Sequence, residues 1–202
     1  MSKRDLILHT AGKLFSTKGF KETSMAELSK LTGVAEGTIF YHFKSKEDLS
    51  VAILEEFRKE IVQEFEGYFR ENKFETGLEM LEGAVSFYLL LSGKTEDRFL
   101  LLHRHDLYEL AQLNPVCRGH LEAIYNCVVN VFQQAILRGQ QDGSIGPAPA
   151  RKKALIVFSM VDGLARFNTY SLYDAAALYK DLIEACRSIL QSNGSQHEDS
   201  QC

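Results

Sequence analysis

From Lys46 onward an apolar residue falls at every fourth position: Leu49, Ile53, Phe57, Ile61, Phe65 and Phe69. That spacing fits one face of a long amphipathic helix and is incompatible with the two-residue alternation of a strand. Similar threes and fours recur along the rest of the chain. Prolines stand only at 115, 147 and 149, and no alternating β-branched run bounded by hairpin turns interrupts the pattern. The chain is therefore expected to be all-α, with about nine helices in total. Besides the long helix from Lys46, helices are expected at about 5–18, 25–31, 36–42, 75–92, 96–112, 115–141, 150–171 and 174–190. Asn114-Pro115 is a start signal, because Asn caps a helix and Pro at its first position gives up an amide that needs no partner there. Asp142-Gly143 is the matching stop. The polar stretch 192–202 is expected to be disordered.

At 202 residues and 45% hydrophobic content the chain can bury a sizeable core. No stretch approaches the roughly 20 apolar residues that cross a bilayer, and no apolar signal core follows Met1-Ser2-Lys3-Arg4-Asp5, so a cytoplasmic location is expected. Cys117, Cys127, Cys186 and Cys202 form no CxxC pair and suit neither a zinc site nor a disulfide framework. The first three read as small core residues, and no metal or cofactor is expected. The net charge of −4 hides an asymmetry: residues 1–50 hold eight Lys/Arg against six Asp/Glu, the remainder fifteen against twenty-one. Only the N-terminal segment suits a polyanion, and a surplus of two is too small to argue from alone.

The segment Thr23 to Phe43 carries the stronger signal. Ser24 and Glu27 have capping-box spacing, which places the start of a short helix. Met25, Ala26, Leu28 and Leu31 are expected to form its inward face, Gly33 to take the left-handed backbone of its end, and Val34 to tuck beneath the turn. A second short helix follows, anchored by Ile39 and Phe43, which leaves Glu36, Gly37, Thr38, Tyr41 and His42 outward. Such a solvent-facing rod is what a major groove admits. Hydroxyls on Thr23, Ser24, Thr38 and Tyr41, the His42 imidazole and the amines of Lys44 and Lys46 can all donate to phosphate oxygens, and Gly37 leaves room for close approach. Ser45, with Asp48 three residues on, caps the next helix and puts Lys46 in its positive N-terminal field.

This run resembles the DNA-binding domain of the TetR/AcrR family of transcriptional regulators. The likeness lies in Lys18-Gly19-Phe20, Thr23-Ser24, Gly33-Val34, Gly37-Thr38-Ile39-Phe40-Tyr41-His42-Phe43 and Lys46-Glu47-Asp48-Leu49, and covers about the first 50 residues. The resemblance implies that Thr23, Thr38, Tyr41, His42 and Lys46 contact the DNA backbone, with Glu36, Gly37 and Thr38 nearest the base edges. It implies a helix-turn-helix domain over residues 1–48 and a helical ligand-binding and dimerisation domain over 49–191. Two departures stand out. Phe40 replaces the usual tyrosine, removing a phosphate-directed hydroxyl worth about 1 kcal/mol. Ala35 replaces a capping serine, at a cost of about 0.5–2 kcal/mol.

In the remainder, the long helix from Lys46 would link sensor to DNA head, so that a ligand altering the spacing of two heads releases a palindromic operator. A repressor relieved by a small apolar effector is the expectation; a ligand- or corepressor-dependent activator, or a helical protein-binding adaptor, is the alternative. A homodimer is expected through Leu155, Phe158, Ser159, Asp162, Gly163 and Arg166 on one helix and Ala175, Leu178, Leu182 and Ala185 on the next, forming a four-helix contact. Phe87, Tyr88, Leu101, His105, Tyr108, Phe132, Phe158 and Phe167 are candidates to line an apolar cavity, with His105 and Tyr108 as its polar contact. His103 and His105, two apart on a helix, point to different faces, which argues against a metal pair. No glycine-rich phosphate loop, GxSxG elbow, HExxH or supported carboxylate pair is present, so no enzyme is expected.

Overall fold

A computed structural model describes residues 2–191. Its elements are α1 (Lys3–Thr17), α2 (Met25–Thr32), α3 (Glu36–His42), α4 (Lys46–Glu71), α5 (Gly77–Lys94), α6 (Glu96–Leu102), α7 (His105–Leu113), α8 (Pro115–Asp142), α9 (Ala150–Thr169) and α10 (Tyr179–Gln191). The described residues contain no strand. Residues 192–202, where disorder was expected, and Cys202 lie outside the described residues.

Helix ends follow local chemistry where the chain supplies it. Asn114 Oδ1 accepts from the amides of Val116 and Cys117, at 3.0 and 3.1 Å, and Gly143 closes α8 at φ 80°. Ser45 Oγ accepts the Asp48 amide at 3.2 Å at the head of α4. The Ser24–Glu27 capping box is only half made: Ser24 Oγ accepts the Glu27 amide at 3.1 Å, while the Glu27 carboxylate turns to Lys18.

Two apolar cores share one helix. Ile7, Leu8, Ala11, Phe15, Leu28, Val34, Ile39 and Phe43 form the smaller with Leu49 and Ile53 of α4, and Leu54, Phe57, Ile61 and Phe65 of the same helix enter the larger. In the larger core α8 is central and packs against α4, α5, α7 and α9. Close approach of α5 and α8 needs glycine: a Cβ on Gly77 would stand 2.0 Å from the Gly139 nitrogen.

The differences from the sequence expectation have physical causes. The expected helix over 96–112 is two helices, giving ten in all, because Arg104 is extended at ψ 136° and its guanidinium reaches back to α1. No glycine or proline marks that break. The last helix begins at Tyr179 and not near 174, because Asp174 Oδ1 accepts the amides of Ala176 and Ala177 and holds a turn. Leu31 is 58% exposed and Ala26 also faces solvent, so α2 buries Leu28 and half-buries Met25 instead of presenting all four inward. Cys117, Cys127 and Cys186 are free thiols, and burial pushes those of Cys117 and Cys186 up to about 11.

Candidate nucleic-acid interface and effector region

Three residues join α2 to α3, and Gly33 makes the turn at φ 67°. Ile39 and Phe43, 0% and 4% exposed, pin α3 from beneath, so its other faces point away from the protein. Glu36 and Gly37 are exposed, Tyr41 is 76% exposed, and Thr38 and His42 are half-buried. Tyr41 and His42 meet edge to face at 5.3 Å. Open space stands above Gly37, with no atom within 4 Å of a Cβ there. Ala35 makes no side-chain cap, and Phe40, where the family usually has a tyrosine, is 42% exposed. Lys44 and Ser24 are exposed at either side of this rod.

Two candidate phosphate contacts are instead committed inside the protein. Thr23 is buried and its hydroxyl donates to the Gly19 carbonyl at 2.8 Å. Lys46 donates to the carbonyls of Phe20 and Thr23 at 2.8 Å and of Lys21 at 3.3 Å, and its Nζ lies 4.7 Å from the Phe20 ring centre. These side chains staple the turn between α1 and α2, and their hydroxyl and ammonium are not free to meet a phosphate. Arg4, which the sequence reading passed over, sits 5.4 Å over the Phe43 ring beside the end of α3 and adds an exposed cation there.

The same turn is held from the start of α7. Asp106 Oδ2 accepts the Phe20 amide at 2.7 Å, and Asp106 Oδ1 accepts Arg104 Nε at 3.0 Å. Arg104 also donates to the carbonyls of Ser16 and Lys18, at 3.2 and 3.4 Å, and Lys21 pairs with Glu109 at 2.7 Å.

The residues proposed to line a cavity do not share one. Leu101 belongs to the small core beside α1, because α6 packs there. His105 has an 89% exposed side chain and faces Glu109 across one turn of α7. Phe167, 38% exposed, packs on Tyr173 outside. Phe87 stacks on Tyr68 at 4.3 Å beside a groove of about 400 Å³. Phe158 does lie in an aromatic interior, with the rings of Tyr88, Tyr125 and Phe132 at 5.8, 5.6 and 6.4 Å. Tyr108 is 37% exposed and its hydroxyl meets that of Tyr125.

Asp162, expected at a subunit interface, turns inward instead: it accepts from Tyr88 Oη at 2.6 Å and from the buried His103 at 3.1 Å. Burial first, and the Asp162 charge second, hold the Tyr88 phenol well above its ordinary range. Of the other proposed interface residues, Leu155, Ser159, Arg166 and Leu178 are exposed, Ala175, Gly163 and Ala185 half-buried, and Phe158 and Leu182 buried. Exposed Ile156, unforeseen, extends the face of Leu155.

The geometry has relatives. Residues 7–53 match the model of a family described as bacterial regulatory proteins, tetR family. The chain is 26% identical over 184 residues to the fatty acid metabolism regulator protein of Bacillus subtilis, covering 88% of this chain and 90% of that protein. It is 25% identical over 173 residues to the HTH-type transcriptional regulator TtgR of Pseudomonas putida, covering 81% and 78%. The crystal structure of the regulator FadR from Bacillus subtilis in complex with stearoyl-CoA superimposes with a TM-score of 0.74 at 22% identity, over 92% of this chain and 98% of that one. With a two-point-anchored recognition rod at its N-terminus and helical relatives over nearly its whole length, the chain carries over residues 7–53 the DNA-binding domain of the tetR family of bacterial regulatory proteins and is similar over most of its length to DNA-binding regulators of transcription.

Proposed function

We propose that the protein is a homodimeric, cytoplasmic repressor that binds a palindromic DNA operator and releases it when a small apolar effector enters the helical half. Residues 1–48 form the DNA-binding domain and residues 49–191 the sensing and dimerisation domain. The observation that carries this reading is the outward face of α3, where Glu36, Gly37 and Tyr41 project from a helix held down at Ile39 and Phe43. Glu36, Gly37 and Thr38 read base edges; Ser24, Tyr41, His42 and Lys44, joined by Arg4, contact phosphates; and Thr23 and Lys46 act by holding the turn that positions α2.

An apolar effector agrees with the aromatic interior around Phe158 and with the fatty-acid regulator among the relatives. Its signal has two routes to the head. One is α4, which belongs to both cores, and the other is the start of α7, whose Arg104 and Asp106 grip the turn at residues 16–20. A shift of either moves α3 relative to its copy in the dimer and spoils simultaneous entry into two grooves.

The test has two stages. Duplexes selected from a random pool by the purified protein are titrated by fluorescence anisotropy; tight binding that weakens steeply with salt is expected, because phosphate contacts displace condensed cations. Compounds are then screened by thermal stabilisation, where a ligand at 100 times its dissociation constant adds about 2.7 kcal/mol. Hits should lower operator affinity. A protein that ignores every duplex at low salt refutes the regulator reading; hits that tighten operator binding refute repression relieved by an effector.

A further inference from the structure

The residues that α3 leaves uncovered differ in what they can tell apart. The hydroxyls of Thr38 and Tyr41 and the neutral imidazole of His42 both donate and accept, and Gly37 offers no side chain. None of these separates one base edge from another by hydrogen-bond chemistry alone. Two residues are unambiguous. Glu36 ends in a carboxylate that only accepts, and Phe40 ends in a ring with no hydrogen-bonding group.

Neither is committed within the protein. Glu36 is exposed, and among the described residues it makes no ion pair and no side-chain hydrogen bond. Glu27 of α2, by contrast, is tied to Lys18. Phe40 is exposed and meets no other ring among the described residues, whereas Tyr41, His42 and Phe43 beside it are in ring contact with one another in turn. Glu36 and Phe40 stand four residues apart, which on a helix puts them on the same flank one turn along, and buried Ile39 and Phe43 fix the rotation of that flank. At a rise of about 1.5 Å per residue roughly 6 Å separates them along the axis, or about two steps of a duplex stacked at about 3.4 Å.

The donors in a major groove are the exocyclic amines of cytosine and adenine. Adenine sets its amine beside the N7 acceptor and guanine shows two acceptors, all of which repel a carboxylate, so cytosine is the base that Glu36 takes without penalty. Phe40 finds its match in the 5-methyl group of thymine, the apolar feature of the groove. We infer that each half-site of the operator carries a cytosine read by Glu36 and a thymine read by Phe40, about two base pairs apart. This assignment rests on the reading of α3 as the DNA-facing rod and names what that rod selects. The hydroxyl that Phe40 lacks is then a gain in discrimination, since a tyrosine there could bond to any base edge or to a phosphate and the bare ring cannot. Glu36 selects as much by repelling guanine as by holding cytosine, while Arg4 and Lys44 supply affinity through phosphates.

Duplexes are selected from a random pool by the full-length protein and by Glu36→Gln, and the winners are titrated by fluorescence anisotropy. The parent is expected to enrich a cytosine and a thymine at that spacing, and changing the cytosine to any other base should weaken binding about tenfold or more. Glu36→Gln should exchange this cytosine for adenine, whose N6 and N7 a carboxamide engages together, and leave the rest of the half-site as it was. The thymine is tested without altering the protein. Uracil, which is thymine without its methyl group, is placed at each thymine of both half-sites in turn, and at one position it should cost the parent about tenfold. Phe40→Ala should bind the thymine and uracil forms of that duplex within about twofold of each other. A selected half-site without the pair, a cytosine that Glu36→Gln keeps, uracil tolerated at every position, or a methyl preference that survives Phe40→Ala overturns the assignment and leaves the regulator reading standing. A protein that enriches no duplex at all takes the regulator reading down and this assignment with it.

Discussion

At Gly19 the backbone turns through φ 100°, and a Cβ would sit 2.3 Å from the Arg104 guanidinium. At Gly37, on the outer face of α3, a Cβ would meet nothing within 4 Å. The same substitution should therefore give opposite results. Gly19→Ala is expected to lower stability by more than about 1 kcal/mol, since both the left-handed backbone and the packed guanidinium resist it. Gly37→Ala should leave stability unchanged or raise it by up to about 1 kcal/mol through helix propensity, yet weaken operator binding, because the space it fills is where a base edge would approach. Urea melts and anisotropy on the two variants separate these outcomes, and a Gly37→Ala protein that binds DNA as tightly as the parent would remove α3 from the interface. Residue type was a fair guide to such exposed positions. It misled at Thr23 and Lys46, whose donors serve backbone carbonyls, because a hydroxyl or an ammonium reads alike in sequence whether its acceptor is a phosphate or a neighbouring turn.

Between elements, the polar cluster joins α5 through Tyr88, the end of α6 through His103, α8 through Tyr125 and α9 through Asp162. Tyr88 and Tyr125 have folded-state values raised above the ordinary 10.0, chiefly by burial. Their contribution to stability is fully present below pH 10.0 and is lost as the pH rises beyond it, since the unfolded chain releases those protons first. Melting curves are expected to hold level up to that point and fall beyond it. Tyr88→Phe should lower stability at neutral pH by about 1.5–3 kcal/mol, by removing a donor from a charged acceptor, while making the alkaline fall shallower. A second test lies at the break between α6 and α7. Arg104→Ala should speed amide exchange over residues 16–23 and weaken operator binding. Unchanged exchange there would disconnect α7 from the head. The break itself was invisible in sequence, since 96–112 keeps helical periodicity across His103 and Arg104 and is interrupted by tertiary bonds to α1. The ends of α8, by contrast, were legible, because Asn114 and Gly143 act on their own local backbone.

On the scale of the whole molecule, the proposed dimer must present its two heads to the duplex about 34–36 Å apart or at a multiple of that distance. The exposed apolar side chains of Leu155 and Ile156 on α9, with Leu178 just before α10, form the face proposed to bring them together. A Leu155→Asp, Leu178→Asp double variant is expected to sediment as a monomer with its helical content intact and to lose operator binding by well over tenfold; a variant that still sediments as a dimer would move the interface elsewhere. Helical periodicity, together with the family resemblance, proposed Leu155 and Leu178 for this face along with Asp162, which stands two turns from Leu155 on α9 and faces the interior instead. Helical spacing gives an approximate direction, and only the neighbouring helices decide whether a residue at the edge of a stripe looks in or out.

The Lys46 ammonium has three N–H donors, and three carbonyl oxygens, those of Phe20, Lys21 and Thr23, receive them beneath the Phe20 ring. That tripod fits a compact cation whose hydrogens diverge from one nitrogen. A flat, forked guanidinium spreads its donors in a plane and cannot reproduce it, so arginine, the exchange that preserves charge, should be as poorly tolerated at this position as a neutral residue.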